Sequence, residues 1–219
     1  WKTRRSRTLS APADSSPSCD ESIDDDIAHL RAEIAELELS RGSTVCLHVP
    51  VGLDCRRVAD VLVELARQEE KTAVFCDHTT IWRGRARGFL RPRTSTKWLS
   101  HAAGISVEEA AVVIRRFSSH VSDPLSACAA TPTCFLAIAA AALKNADILI
   151  YSTVGLDPLG CRAIHEYVGS YCRHLCVVYL SGAMEVGDQP PAHVDCPDNA
   201  ECVILRKLEA RGKDAQRPS

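Results

Sequence analysis

Long apolar runs and an excess of charge are both missing from this chain of 219 residues. A membrane-spanning helix needs roughly 18 to 20 apolar residues, whereas the run from Phe135 to Leu143 is short and is followed by Lys144 and Asn145. The net charge is only −2, although 46% of the residues are hydrophobic. These values predict one soluble globular domain that contacts a membrane only through partner chains.

The chain also lacks the regular cysteine spacing of a disulfide framework or a metal site. Its eleven cysteines are odd in number and scattered, and many lie within apolar patterns, which is typical of reduced thiols in the cytosol or an organelle matrix. Cys172 and Cys176 flank His174, but one is expected at the end of a helix and the other within a strand. Neither a metal site nor a disulfide is therefore predicted.

Acidic residues are nearly absent from the first 18 residues, which are rich in Arg, Ser and Pro. Residues 1–22 are predicted to be a basic, flexible segment that starts at Trp rather than Met. They are either the remainder of an organellar transit peptide, which indicates a mitochondrial location, or the tail of a cytoplasmic protein.

Residues 23–40 are predicted to form an amphipathic helix, because Ile27, Leu30, Ile34 and Leu37 recur at helical spacing. This helix either packs on the domain that follows or presents its apolar face to a partner. The main domain is expected at residues 41–212, with a polar tail at 213–219.

Two segments have the order strand, loop, helix. In the first, the β-branched run Thr44 to Val49 leads through a loop containing Gly52 to a helix that begins near Val58. In the second, the apolar run Ile148 to Ile150 is followed by Tyr151-Ser152, a Gly155-Leu156-Asp157-Pro158 turn and a helical stretch from Cys161 to Val168. Apolar runs of this kind are typical of buried parallel strands, so the pattern indicates an α/β fold.

Both segments resemble the nucleotide-binding domain of ATP-binding-cassette (ABC) ATPases. The Gly155-Leu156-Asp157-Pro158 turn matches the family's D-loop, and the first segment resembles its phosphate-binding loop. The resemblance covers roughly residues 40 to 212. It implies an α/β fold of the P-loop NTPase type, with a parallel sheet from strands near Thr44, Ala73, Ile148 and Leu175 and a helical insertion from about Ile105 to Ser122.

The same resemblance implies that the catalytic residues of the family are replaced. At the phosphate loop, Asp54 stands for a glycine, Cys55 for the lysine that contacts phosphate and Arg56 for the serine that holds Mg²⁺. Tyr151 and Ser152 stand where the family has two acidic residues. Gly182 occupies the position of the switch histidine, and the signature segment Leu125 to Ala129 has no glycine. No catalytic residue, metal or cofactor is expected, so the chain is predicted to be an inactive ABC-type ATPase.

A basic segment with aromatic residues runs from Trp82 to Trp98 without an acidic residue. Its cations are Arg83, Arg85, Arg87, Arg91, Arg93 and Lys97. They are suited to bind the phosphates of a nucleic acid, with Trp82 and Phe89 stacking on unpaired bases. An acidic protein surface or lipid headgroups would fit the same charges.

Three functions follow from these observations. The first is a non-catalytic, ABC-like structural subunit of a larger, mitochondrial complex with other protein subunits as partners. The second is an ABC transporter ATP-binding subunit paired with membrane partner chains. The third is an RNA-binding structural protein of an organellar ribosome, which depends on residues 82–98 alone.

Overall fold

One parallel sheet organises the computed structural model of the chain, which describes residues 28–49, 53–82, 94–117, 125–182 and 200–204. The strands are β1 (Thr44–Val49), β2 (Ala73–Cys76), β3 (Ile148–Ser152), β4 (Cys176–Gly182) and β5 (Glu201–Ile204), and their order in the sheet is β2-β3-β4-β1-β5. Every neighbouring pair is parallel. The predicted strands near Thr44, Ala73, Ile148 and Leu175 are confirmed, and the fold is α/β as expected.

Six α-helices accompany these strands in the described ranges, together with the short 3-10 helices Thr80–Trp82 and Leu125–Ala127. The α-helices are α1 (28–35), α2 (Cys55–Gln68), α3 (Ser95–Ala103), α4 (Val107–Phe117), α5 (Ala130–Leu143) and α6 (Pro158–Tyr171). Asp54 caps α2 and Asp157 caps α6, and Gly104 ends α3 in the left-handed conformation at φ 72°. The caps satisfy backbone groups that have no partner within a helix.

Alternation along the strands divides the core into two layers, because successive side chains of a strand point to opposite faces. Leu149, Tyr151 and Tyr179 pack with residues of α3, α4, α5 and α6 on one face. Ile150 and Val178 pack with residues of α1 and α2 on the other. Helices therefore cover both faces of the sheet, as all-parallel sheets require.

Two predicted boundaries are corrected by the structure. The helical part between β2 and β3 starts at Ser95 rather than near Ile105, because Thr94 accepts a hydrogen bond from the Lys97 backbone and so caps α3. The helix predicted over residues 23–40 ends at residue 35. Its described part packs on the domain, since Leu30 and Ile34 are buried against α2 and β1.

In the described part of the chain, α2, α5 and α6 are the longest helices, and none is long and apolar enough to cross a bilayer.

Candidate functional site

Asp54, Cys55, Arg56 and the turn from Gly155 to Asp157 follow strands that end at the carboxyl-terminal edge of the sheet. There β1 ends before the start of α2, β3 ends before α6, and β2 and β4 end beside them. In open α/β sheets this edge is where ligands bind. Gly52 lies outside the described residues, whereas Asp54, Cys55 and Arg56 are described.

The amino terminus of α2 uses a side chain of its own chain as an acceptor. Oδ1 of Asp54 accepts a hydrogen bond of 2.9 Å from the Arg56 backbone N–H. Such N–H groups are what a helix start offers to a phosphate, so the Asp54 carboxylate takes one of them and adds a negative charge beside the others. Burial raises the pKa of the Cys55 thiol above its ordinary value, despite a hydrogen bond with Ser152. Cys55 is therefore a neutral thiol at neutral pH.

The Arg56 guanidinium crosses from α2 to the loop after β2. Its Nη2 lies 2.9 Å from Thr79 Oγ1 and 3.5 Å from Asp77 Oδ2. The Asp77 carboxylate is only 13% exposed. Its other oxygen, Oδ1, accepts hydrogen bonds from the Thr79 backbone and from the hydroxyls of Thr79 and Thr80, all within 2.9 Å. Asp77 is thus the acceptor that orders this loop, and Arg56 is its cation.

At the end of β3, Tyr151 and Ser152 are both buried. The Tyr151 hydroxyl lies 2.8 Å from Nδ1 of His165 on α6. The direction of this hydrogen bond follows the tautomer of His165. Burial raises the pKa of Tyr151 well above its usual value, so the hydroxyl stays protonated at neutral pH. The Tyr151 and Tyr179 rings are 5.1 Å apart. Tyr151 is therefore part of an aromatic core rather than a group that faces the edge of the sheet.

The turn after β3 has the conformation that its sequence demands. Gly155 adopts φ +85°, and a Cβ on it would lie 2.9 Å from Cε1 of His78. Only glycine combines this backbone conformation with such close contact. Leu156 packs partly against the core. Oδ1 of Asp157 accepts a hydrogen bond of 2.8 Å from the Gly160 backbone and begins α6. Asp157 is therefore a helix cap here.

Two further predicted positions are the switch position, Gly182, and the signature segment, Leu125 to Ala129. Gly182 ends β4, and a Cβ on it would be 3.1 Å from Val154 Cγ2. The predicted signature segment contains a short 3-10 helix, Leu125–Ala127, and α5 then begins without a side-chain cap.

Of the six cations of the basic segment, the structure describes only Lys97. The cations Arg83, Arg85, Arg87, Arg91 and Arg93 lie outside the described residues. Lys97 is exposed in the first turn of α3. Across the described ranges, no group of three His, Cys, Asp or Glu residues is placed to hold a metal ion.

Two contacts of the site are absent from the sequence-based prediction. Asp77 and Thr79 follow β2, and no motif links them to Arg56. His165 was not a candidate, because nothing in its own helix indicates the tyrosine on β3. A polar Asp-His-Thr-Thr run directly after an apolar strand was the only available signal, since strand ends of parallel sheets meet at one edge.

Fold and site together define a class: an α/β domain with an all-parallel sheet covered by helices on both faces, in which the carboxyl ends of β1 and β3 precede the amino termini of α2 and α6. A comparison with solved structures shows which known fold this arrangement resembles. The chain is similar to a protein described as a candidate ABC transporter ATP-binding protein from Pyrococcus furiosus, with 13% identity, a TM-score of 0.54, and coverage of 77% of this chain and 87% of that one. It therefore has the fold of an ABC-type ATP-binding domain.

A second similar structure is cbiO1 from Clostridium perfringens, part of the ABC transporter complex cbiONQ, with 14% identity and a TM-score of 0.45. The match covers 68% of this chain and 70% of that one. No protein-family model and no curated protein sequence matches the chain.

Proposed function

We propose that the chain is a non-catalytic, ABC-like subunit that serves as a structural and interaction component of a larger protein complex. Its ABC-type fold supports a domain that docks to other chains. A mitochondrial location belongs to the same proposal and is supported by the Arg- and Ser-rich composition of residues 1–22.

The observation that carries the proposal is the state of the α2 amino terminus. Asp54 accepts the Arg56 backbone N–H, and the Arg56 guanidinium is bound to Asp77 and Thr79. A nucleotide phosphate would have to approach the Asp54 carboxylate and compete with it for the helix start. The position that holds Mg²⁺ in the family is filled by a cation, which repels Mg²⁺.

The residues at the end of β3 support the same proposal. Tyr151 and Ser152 carry no charge at neutral pH, and both are buried. The nearby carboxylates have other roles, since Asp77 binds Arg56 and Asp157 caps α6. A phosphoryl-transfer site depends on groups that stabilise phosphate charge and orient the nucleophile, and the loss of one such group costs about 10²–10³-fold in rate.

The turn after β3 offers a surface for another protein chain. Leu159 is 76% exposed and Val154 is 53% exposed, although both are aliphatic. Val154 precedes the Gly155–Asp157 turn and Leu159 lies in the first turn of α6, and exposed apolar side chains that form a patch are typical of interaction sites. This surface supports an interaction role.

A binding and turnover experiment tests the loss of catalysis. The full chain is titrated with a fluorescent ATP analogue in the presence and absence of Mg²⁺, and phosphate release is followed. We expect neither Mg²⁺-dependent binding nor phosphate release above buffer. The triple variant Asp54→Gly, Cys55→Lys, Arg56→Ser restores the family's residue types, so it is expected to gain Mg²⁺-dependent binding.

A charge-matched pair of variants identifies contaminating ATPase. Arg56→Glu places a carboxylate at the α2 amino terminus, whereas Arg57→Glu changes the exposed neighbour. Phosphate release by the wild-type chain that Arg56→Glu abolishes and Arg57→Glu retains would contradict the proposal.

The interaction role is tested separately, by purifying the chain from its native source at moderate salt and identifying copurifying proteins by mass spectrometry. Stoichiometric protein partners without nucleotide are expected. Recovery of bound Mg·ATP together with a transmembrane partner would instead support the transporter ATP-binding subunit.

A further inference from the structure

A cleft of about 740 Å³ opens at the edge of the sheet opposite the phosphate-loop position. It lies where β3 and β4 begin, between the end of α1, the turn that follows it and the end of α2. The five residues of β3 separate this cleft from the other edge by about 16 Å. Its volume is within the roughly 300–1,000 Å³ of small-molecule sites.

The walls of the cleft are mainly aliphatic. Leu37 and Leu39 from the turn after α1 face Leu65 of α2, and Ile148 and Cys176 contribute where the two strands begin. Burial raises the pKa of the Cys176 thiol, so the thiol is neutral at neutral pH and adds no charge. An aliphatic chain would be removed from water by these walls.

The charges at the rim do not balance. Arg41 is paired with Asp147 at 2.8 Å, and Lys71 is paired with Glu69 at 2.7 Å. Glu38 also lines the cleft, and none of the ion pairs formed by the described residues includes it. Two cations and three carboxylates therefore line the cleft, which leaves one negative charge.

We propose that this cleft binds a small organic cation with an aliphatic body, whose ammonium group pairs with Glu38 while its chain lies against Leu37 and Leu65. An anionic ligand fits less well, because both cations are already paired with carboxylates. This site is independent of the proposed non-catalytic role and lies on another edge of the sheet.

Methyl NMR of the full chain tests the site with n-octylammonium, n-octanoate and n-octanol, which have the same chain length and different head groups. We expect n-octylammonium to give saturable shifts at the methyl groups of Leu37, Leu65 and Ile148. We expect n-octanoate to bind at least about fivefold more weakly, since the charge of its head group is reversed.

Two substitutions on α1 form a matched pair. Ala35 lines the cleft and Ala32 does not, and both are exposed, so neither change disturbs the core. Ala35→Trp fills the cleft and is expected to weaken n-octylammonium binding by about tenfold or more. Ala32→Trp is expected to leave binding unchanged.

Glu38 is tested against an exposed neighbour in the same way. Glu38→Gln should weaken n-octylammonium binding by about two- to fivefold and bring it close to that of n-octanol. Glu36→Gln, outside the cleft lining, should have no effect. Equal binding of n-octanoate and n-octylammonium, or full binding by a folded Ala35→Trp variant, would overturn the proposal.

Discussion

At the residue scale, Arg56 joins two segments that are far apart in the chain. Its guanidinium reaches Thr79 and Asp77 beyond the end of β2. Arg56 is 45% exposed and Asp77 is only 13% exposed. Solvent therefore screens the ion pair mainly at the guanidinium group. The contact therefore contributes to stability, although less than a fully buried pair would.

We expect Asp77→Asn to lower the free energy of unfolding by about 1 kcal/mol, because a neutral amide accepts the Thr79 and Thr80 hydrogen bonds less strongly. Arg56→Ala should cost about 0.5 kcal/mol. Urea denaturation of both variants and of the double variant measures their coupling, which should be about 0.2–0.5 kcal/mol. Costs that simply add would show that the pair is not coupled.

Asp147 predicts an acid-dependent loss of stability. Hydrogen bonds from the Thr72 backbone, from Arg41 and from the Thr72 hydroxyl lower its pKa from 3.8 to about 2. Between these values the unfolded chain binds the proton more readily than the folded one. The contribution of Asp147 is therefore fully present above about pH 4 and is lost as the pH falls toward 2.

Urea denaturation between pH 5 and about pH 2 measures this effect. Asp147→Asn should remove part of the decrease in stability at low pH. Arg41→Ala should remove less of it, because the backbone hydrogen bond, which is the largest cause, remains. An unchanged pH dependence in Asp147→Asn would contradict the assignment.

Which residue types stand at the site could be read from the sequence, but not what they contact. Asp54, Cys55 and Arg56 follow a clear strand, and Gly155 and Asp157 belong to a recognisable turn. Arg56 contacts Asp77, and Tyr151 contacts His165. The two residues of each pair lie in different elements, whose relative positions depend on the strand order, and no local sequence pattern contains that order.

At the element scale, α5 is a helix whose faces are nearly all buried. Its residues from Thr133 to Ala141 are buried among the other helices and the sheet. The Phe135 ring stacks on Phe117 with centroids 3.8 Å apart and meets Tyr167 edge-on at 4.8 Å. This aromatic contact connects α4, α5 and α6.

We expect Phe135→Ala to lower the free energy of unfolding by about 3–5 kcal/mol, because a fully buried ring leaves a cavity among three helices. Val112→Ala on α4, where the side chain is exposed, should cost less than about 0.5 kcal/mol. Chemical denaturation of the two variants checks this. Similar costs for both would mean that the three helices are not packed tightly.

Element prediction was most reliable where apolar runs are bounded by turn residues, as in β1, β3 and α6. The start of α3 at Ser95 differs from the prediction, which begins the helical part near Ile105, because residues 95–98 continue a basic segment without a clear apolar period. The Thr94 cap and the buried Leu99 make this stretch helical, and the burial of Leu99 depends on contacts with distant elements.

At the scale of the whole molecule, α1 belongs to the same folded unit as the sheet. Leu30 and Ile34 are at most 2% exposed, and Arg31 pairs with Glu64 of α2 at 2.6 Å. The core on this side of the sheet contains α1, α2 and inward-facing residues of β1, β3 and β4. A substitution that disrupts the packing of α1 should therefore lower the stability of the whole sheet.

Leu30→Ala should lower the global free energy of unfolding by about 2–5 kcal/mol. Amide hydrogen exchange shows whether the effect is global, because the protection of β3 and β4 should fall together with that of α1. Faster exchange confined to α1, with unchanged strands, would show that α1 unfolds separately from the domain.

The sequence by itself determined the α/β class, four of the parallel strands, the turn after β3 and the residue types at the phosphate-loop position. These features depend on periodicity, backbone conformation and residue chemistry within a few neighbouring positions. Only the tertiary structure decided the strand order, the Arg56–Asp77 contact, the packing of α1 and the cleft beside Glu38. Each of these joins segments that are distant in the chain, and such contacts arise only when the sheet assembles and both its faces are covered.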